Sequence, residues 1–316
     1  MRDFRPVVAR DDVIQLLEGL FGEPIHHLEP VEGGQVARTF SFTAGSEQYF
    51  LGINRRLGAN VEKHVFVERL VRSSGIPIPP IVHRGRLGEL YYAVTRRMPG
   101  TPLSDLDRSE LDALVPSVIE TLDTIHSVDV SQTEGYATAG DDGNGMFPSW
   151  RRYLEHVAEE EAEWDFFGRW HDLFETTFLE RDLFDRASQR MTTLLPDCPE
   201  ERSLIHGNVG YNNLLAQDGT VTAVLDWQDA GYGDSLYDVA QLDFWDPEGG
   251  WIGRFCDHFH AQGRAMDSYD ERILCYQLRT ALDALRFFAK KGDEGAYRWT
   301  RDRLSVLDDD GASRPG

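Results

Sequence analysis

One stretch constrains this chain more than any other. It reads Leu204-Ile205-His206-Gly207-Asn208-Val209-Gly210-Tyr211-Asn212-Asn213-Leu214-Leu215, then Asp218-Gly219, then Thr222-Ala223-Val224-Leu225-Asp226-Trp227. An apolar strand runs into a polar loop, re-enters as a hairpin about the Asp-Gly turn, and delivers a carboxylate at a strand's end. Phosphoryl transfer needs such a layout. A loop carboxylate receives the acceptor hydroxyl's proton, and an amide oxygen five residues later helps hold a metal. A second carboxylate across the hairpin bridges that metal to nucleotide phosphates. Asn213 and Asp226 suit the last two roles. Each alone also suits a turn or a helix cap, so the ordered set carries the argument.

Composition narrows the classes. The chain has 316 residues and a charge of −22, from 54 Asp and Glu against 32 Lys and Arg. So acidic a surface argues against nucleic-acid partners held by phosphate neutralisation. No apolar run reaches about 18 residues, and the first ten residues lack an apolar signal region, so neither a membrane span nor secretion is expected. Cys198, Cys256 and Cys275 are widely spaced and suit free thiols in a reducing cytoplasm. Only Lys63, Lys290 and Lys291 are lysines. A surface rich in carboxylate and poor in lysine resembles that of proteins working in a salt-loaded cytoplasm, where screening relieves self-repulsion. Attraction of a cationic substrate is the alternative.

The patterning predicts two parts. Residues 11–21 read as an amphipathic helix, 36–43 and 48–54 as strands joined by Ala44-Gly45-Ser46, and 61–73 as a helix stopped by Gly75 and Pro77. Strands at 81–83 and 90–95 complete a sheet, and Met98-Pro99-Gly100 marks a hinge. Beyond it the chain is mainly helical: a helix capped near Ser109 and Asp112 and running to about 128, a glycine-rich loop over 135–145, and helices over 150–163, 164–178 and 181–195. A compact β segment follows over 203–227. Residues 308–316 are expected to be disordered.

These motifs resemble the aminoglycoside phosphotransferase family, nearest to its hygromycin B phosphotransferases. The resemblance spans roughly residues 10–290. It rests on the loop-hairpin, on Glu32-Gly33-Gly34 before Arg38-Thr39-Phe40, and on Gly75-Ile76-Pro77-Ile78-Pro79. Further matches are Ser131-Gln132-Thr133-Glu134-Gly135-Tyr136, Cys198-Pro199-Glu200 and Gly233-Asp234-Ser235. It implies a bilobal α+β fold of protein-kinase type. An antiparallel-sheet lobe over 1–97 would bind nucleotide. A helical lobe over 98–316 would carry the catalytic loop and a substrate-binding insertion at 130–195. The implied reaction moves phosphate from ATP, or another nucleoside triphosphate, to a small-molecule hydroxyl, as in antibiotic resistance. Gly33, Gly34, Arg38, Gly52, Arg96 and Met98 would border the nucleotide, and Asn213 and Asp226 would hold Mg²⁺. Asn208 and His206 would occupy the catalytic loop, and Glu160, Glu163 and Asp229 would meet a cationic aminocyclitol.

The family pattern breaks at three places. Asn208 stands where the family carries its general-base Asp; an amide orients a hydroxyl but takes no proton at neutral pH. Gly52 stands where a strand cation should meet the phosphates, with Lys63, Arg55 and Arg56 as the nearby alternatives. The helix glutamate that partners that cation falls at His64, or at Glu62 with a small shift of alignment. Three readings stay open: an atypical kinase, a pseudokinase that binds without transfer, or an enzyme disarmed by an introduced Asn208. His206 is read as structural, as are His126, Asp234 and Asp238. The run Glu159-Glu160-Glu161 is more simply a solvated face than a pocket. Trp150, Trp164 and Trp170 are read as core.

Overall fold

The computed structural model describes residues 4–31, 37–55, 57–140, 142–160 and 166–312. Helix α1 (Arg10–Phe21) buries Val13 and Leu17, one turn apart, against the first sheet. That sheet holds β1 (Ile25–Pro30), β2 (Arg38–Ala44), β3 (Glu47–Asn54), β4 (Ile81–Leu87) and β5 (Leu90–Arg96), antiparallel in the order β1-β2-β3-β5-β4. Tyr49, Leu51 and Ile53 alternate onto the buried face with Phe40, Phe42 and Val94, leaving Phe50 and Gly52 on the other.

Helix α2 (Leu57–Val71) joins β3 to β4. Lys63, Val67 and Val71 lie four apart on one face, and all three are buried. Val67 and Val71 belong to the core of the helical part rather than to that of the sheet, so α2 couples the two.

The chain crosses over at residues 97–100. Gly100 has φ 112°, and a Cβ there would lie 2.5 Å from Thr222 Oγ1 and 2.8 Å from the Ala216 carbonyl. Only glycine fits so tight a crossing. Then follow β6 (Thr101–Pro102), α3 (Arg108–His126), β7 (Tyr136–Ala139), β8 (Gly145–Phe147), α4 (Trp150–Glu155), α5 (Leu173–Thr176) and α6 (Arg181–Leu194). Strands β9 (Ser203–Ile205), β10 (Leu214–Gln217), β11 (Thr220–Val224) and β12 (Gly231–Gly233) lead to α7 (Leu236–Trp245), α8 (Trp251–Ala261), α9 (Tyr269–Lys291) and α10 (Glu294–Ala312). The sheet order is β11-β10-β6 beside β8-β7-β12-β9.

The mixed α+β architecture expected from sequence is present, with four local differences. Helix α3 starts two residues earlier than read, on a reciprocal cap between Asp107 and Glu110. The glycine-rich segment after residue 135 contains β7 and β8, because β7 pairs with β12 some ninety residues on, a contact with no local signal. Among the described residues of 150–178, the two expected helices are replaced by the short helices α4 and α5 and single turns, and the indole of Trp170 donates to the Glu159 carbonyl. Helix α10 continues through Ala312, propagated from the stretch anchored by buried Tyr297, Leu304 and Leu307.

Candidate active site

The site is assembled on the loop after β9. His206 is fully buried. Its Nε2 lies 2.8 Å from the Leu225 carbonyl and its Nδ1 3.3 Å from the Asn208 N–H. A carbonyl only accepts and an N–H only donates, so Nε2 carries the hydrogen and Nδ1 offers its lone pair. Both nitrogens are spent on shaping the loop, and His206 has no free atom for catalysis. Gly207 has φ 77°, and a Cβ there would meet the Asp229 carbonyl at 2.3 Å. Loop and hairpin end therefore touch backbone to backbone.

Helix α7 holds the loop from below. Asp238 accepts from the His206 N–H at 2.8 Å, the Gly207 N–H at 2.9 Å and His126 Nε2 at 2.9 Å. Burial alone would raise its carboxyl, but these bonds and the two histidines outweigh that and hold it below the usual range. One turn on, Gln241 accepts from the Val209 N–H at 3.1 Å and donates to the Gly207 carbonyl at 2.9 Å. Asp234 is bound by Arg272 in a two-point pair, both contacts at 2.8 Å. His126, Asp234 and Asp238 are thus structural.

Four polar side chains face upward. Asn213 Nδ2 donates to the Asn208 carbonyl at 2.9 Å, which leaves Oδ1 with no protein donor among the described residues. Asp226 sits in the left-handed region at φ 58°. The residue is solvent-accessible, yet the protein packed around the carboxyl restricts its hydration and pushes it above the ordinary range. His206, the Gln228 N–H and His64 oppose the shift. Asp229 lies at the cavity beside Asn208, whose side-chain amide favours its charged form. Burial and then the neighbouring Asp226 push it up to about 7, against the pull of Lys63.

The nucleotide side came together differently from expectation. Gly33 and Gly34 lie outside the described residues, as does Arg56. Arg38 turns to the Pro6 carbonyl at 3.4 Å, and Arg96 is exposed beside Glu47 at 3.8 Å; neither lines the cavity. Met98 is half-buried in the crossing segment. Gly52 has nothing within 4 Å of where a Cβ would stand. Glu62 faces out to Arg84 at 3.0 Å, and His64 bonds the Pro79 carbonyl at 3.0 Å. Desolvation lowers the His64 pKa below its ordinary value. The inward residue of α2 is Lys63, whose Nζ donates to the Gln228 carbonyl at 2.5 Å. A lysine on the helix, not on the strand, supplies the buried cation.

A cavity of about 1140 Å³ opens above the loop, bordered by Asn208, Asn213, Asp229, Arg55, Trp245 and Lys290 among others. Glu160 is not there; it is exposed, 3.8 Å from His171, while Glu159 grips Arg152 with two contacts at 2.6 Å. Glu159 and Glu160 are thus engaged in local contacts away from the cavity lining; Glu161, Glu163 and Trp164 lie outside the described residues. Asp229 does line the cavity. Buried Trp150 and Trp170 are core, as read. Sequence reasoning missed Trp245, which stacks on Trp299 with ring centroids 5.4 Å apart. It also missed Tyr211, which donates to Asp246, itself gripped by Arg108 at 2.7 and 3.0 Å. An exposed tryptophan at the end of a buried helix was the one available signal.

A sheet-plus-helix fold with this loop, hairpin and cavity defines a small-molecule kinase class. Residues 27–272 match the Phosphotransferase enzyme family (APH), and the chain belongs to it. It is 30% identical over 301 residues to the hygromycin-B 4-O-kinase of Escherichia coli, covering 93% of this chain and 84% of that protein. A crystal structure of a thermostable mutant of aminoglycoside phosphotransferase APH(4)-Ia, in ternary complex with ADP and hygromycin B, superposes with a TM-score of 0.82 at 29% identity. That match covers 96% of this chain and 100% of the other. The fold alone is shared with an amicoumacin kinase bound to AMP-PNP and Ca²⁺, at 14% identity and a TM-score of 0.63 over 96% and 94% of the chains. Among the described residues, no helix is long and apolar enough to cross a membrane.

Proposed function

We propose that this protein transfers the terminal phosphoryl group of ATP, or of another nucleoside triphosphate, to a hydroxyl of a cationic aminocyclitol of the hygromycin type. In this reading residues 1–97 bind the nucleotide in the cytoplasm, and the part from residue 98 positions the acceptor. The observation that carries it is the placement of Asn208 and Asn213 at one cavity, on a loop fixed by Asp238 and Gln241, with Asp226 at the hairpin end close enough to the cavity residue Asp229 to raise its proton affinity. The relative crystallised with ADP and hygromycin B supports the ligand classes.

Each residue's part follows from its chemistry. Asn208 accepts the acceptor hydroxyl's hydrogen bond and aims its oxygen. The free Oδ1 of Asn213 and the carboxylate of Asp226, short of positive charge where it stands, are hard oxygen donors that fit Mg²⁺. Bound there, Mg²⁺ would neutralise phosphate charge. Arg55 borders the same cavity and Lys63 backs the carboxylates from α2. Asp229, at the cavity wall, is the carboxylate placed to meet an ammonium group of the acceptor.

The test is phosphorylation of hygromycin B and an aminoglycoside panel with Mg·ATP, followed by mass spectrometry of the product, for the parent and Asn208→Asp. Transfer by the parent, accelerated about 10²-fold or more in Asn208→Asp, is the expected result. A second reading, nucleotide binding without transfer, draws on Gly52 and Asn208 together. It predicts that Mg·ATP raises the Tm while neither protein yields product.

A further inference from the structure

Transfer to a hydroxyl releases a proton, and the amide of Asn208 cannot hold it at neutral pH. Other carboxylates border the cavity. Asp246 is occupied by Arg108, Tyr211 and Trp251. Asp283 is held by Arg286 at 2.7 Å and Arg279 at 3.6 Å. Asp229 differs in kind. It lines the cavity beside Asn208, and its carbonyl packs so closely on Gly207 that a Cβ there would stand 2.3 Å away.

We propose that Asp229 is the proton acceptor of this active site: the carboxylate absent from position 208 is supplied from the turn after β11, at the same cavity as Asn208. The assignment rests on the phosphotransferase reading above. The acceptor oxygen forms its bond to the terminal phosphorus as the bond to the nucleoside diphosphate oxygen breaks, and the bonding pair leaves with the diphosphate. The hydroxyl proton passes to the Asp229 carboxylate and from there to solvent in the cavity. A hydroxyl between Asn208 and Asp229 is oriented by the first and deprotonated by the second.

The charges around Asp229 agree with that work. Asp226 faces it from the end of β11, Asp283 from α9, Lys63 from α2 and the Asn208 amide from the loop. Burial and the two carboxylates raise its affinity for a proton, while Lys63 and Asn208 limit the rise, which suits a base working near neutral pH.

The test compares kcat of the parent, Asp229→Asn, Asp229→Glu and Asn208→Asp/Asp229→Asn with Mg·ATP and hygromycin B or the acceptor found active. The Tm shift given by Mg·ATP reports on folding and nucleotide binding. Expected are a fall of about 10²-fold or more in Asp229→Asn with the Tm shift kept, a smaller fall in Asp229→Glu, and recovery of at least about tenfold in the double variant. Asp229→Asn added to Asn208→Ala should cost about tenfold more; no further cost would mean that Asp229 merely holds Asn208, and would overturn the proposal. So would an Asp229→Asn enzyme within about threefold of the parent, or a double variant no faster than Asp229→Asn. If the parent itself phosphorylates no acceptor, the phosphotransferase reading falls and this assignment with it. An active parent indifferent to Asp229→Asn removes this assignment alone.

Discussion

The floor and the roof of the cleft are built on opposite principles. The floor is a loop whose backbone is tied by buried polar groups from elsewhere in the chain: Asp238 and Gln241 from α7, and His206 to the end of β11. The roof is β3, held by Leu51 and Ile53 packing away from the cleft, while Phe50 and Gly52 on its other face lie outside that core. Chemistry has changed on both. On the floor, Asn208 replaces the family's Asp, yet the loop's shape does not depend on that side chain. On the roof, Gly52 leaves open space, and the buried cation comes from α2 instead. In neither place does the fold require the residue type that the chemistry would.

The contrast can be broken most forcefully on the floor. Asp238→Ala strips the His206 and Gly207 N–H groups and His126 of their shared, fully buried acceptor. It should cost about 3–5 kcal/mol in urea unfolding and abolish transfer.

A smaller effect is expected where the floor meets the turn after β11. Asp229 has a folded pKa of about 7, raised above an unfolded value of about 4. The folded state then binds the proton more tightly, so parent stability falls as pH rises from about 4 to about 7 and levels off above. Asp229→Asn removes that fall. In denaturation without metal or nucleotide it should match the parent at pH 4 and exceed it by about 1–3 kcal/mol at pH 8, screening by cavity water included.

On the roof, Gly52→Arg meets no atom within 4 Å of its Cβ. Stability should change by less than about 0.5 kcal/mol. Nucleotide affinity should rise about fivefold, the range of one exposed charge-assisted contact, as measured by the ATP dependence of Tm. A large loss of stability there would show that the roof is as constrained as the floor. Least of all, KCl raised from 0.1 to 1 M should increase Tm by a few degrees, by screening a charge of −22.

What the sequence determined by itself is what lies close together along the chain. The β10–β11 hairpin, the fixed spacing of His206, Asn213 and Asp226, the alternation of β3 and the amphipathic α1 were legible because each depends on neighbours in sequence. Lys63 was noticed as a nearby lysine, but its direction was not legible. That depended on which face of α2 the Val67 and Val71 stripe would bury. Other features were decided by tertiary structure alone. These are the pairing of β7 with β12, the grip of α7 on the catalytic loop, the meeting of Asp229 with Asn208, and the arrival of Trp245 at the cavity. The physical reason is common to them. A hydrogen bond or buried contact between distant segments leaves no periodic trace in either, since it exists only after the core has set their separation.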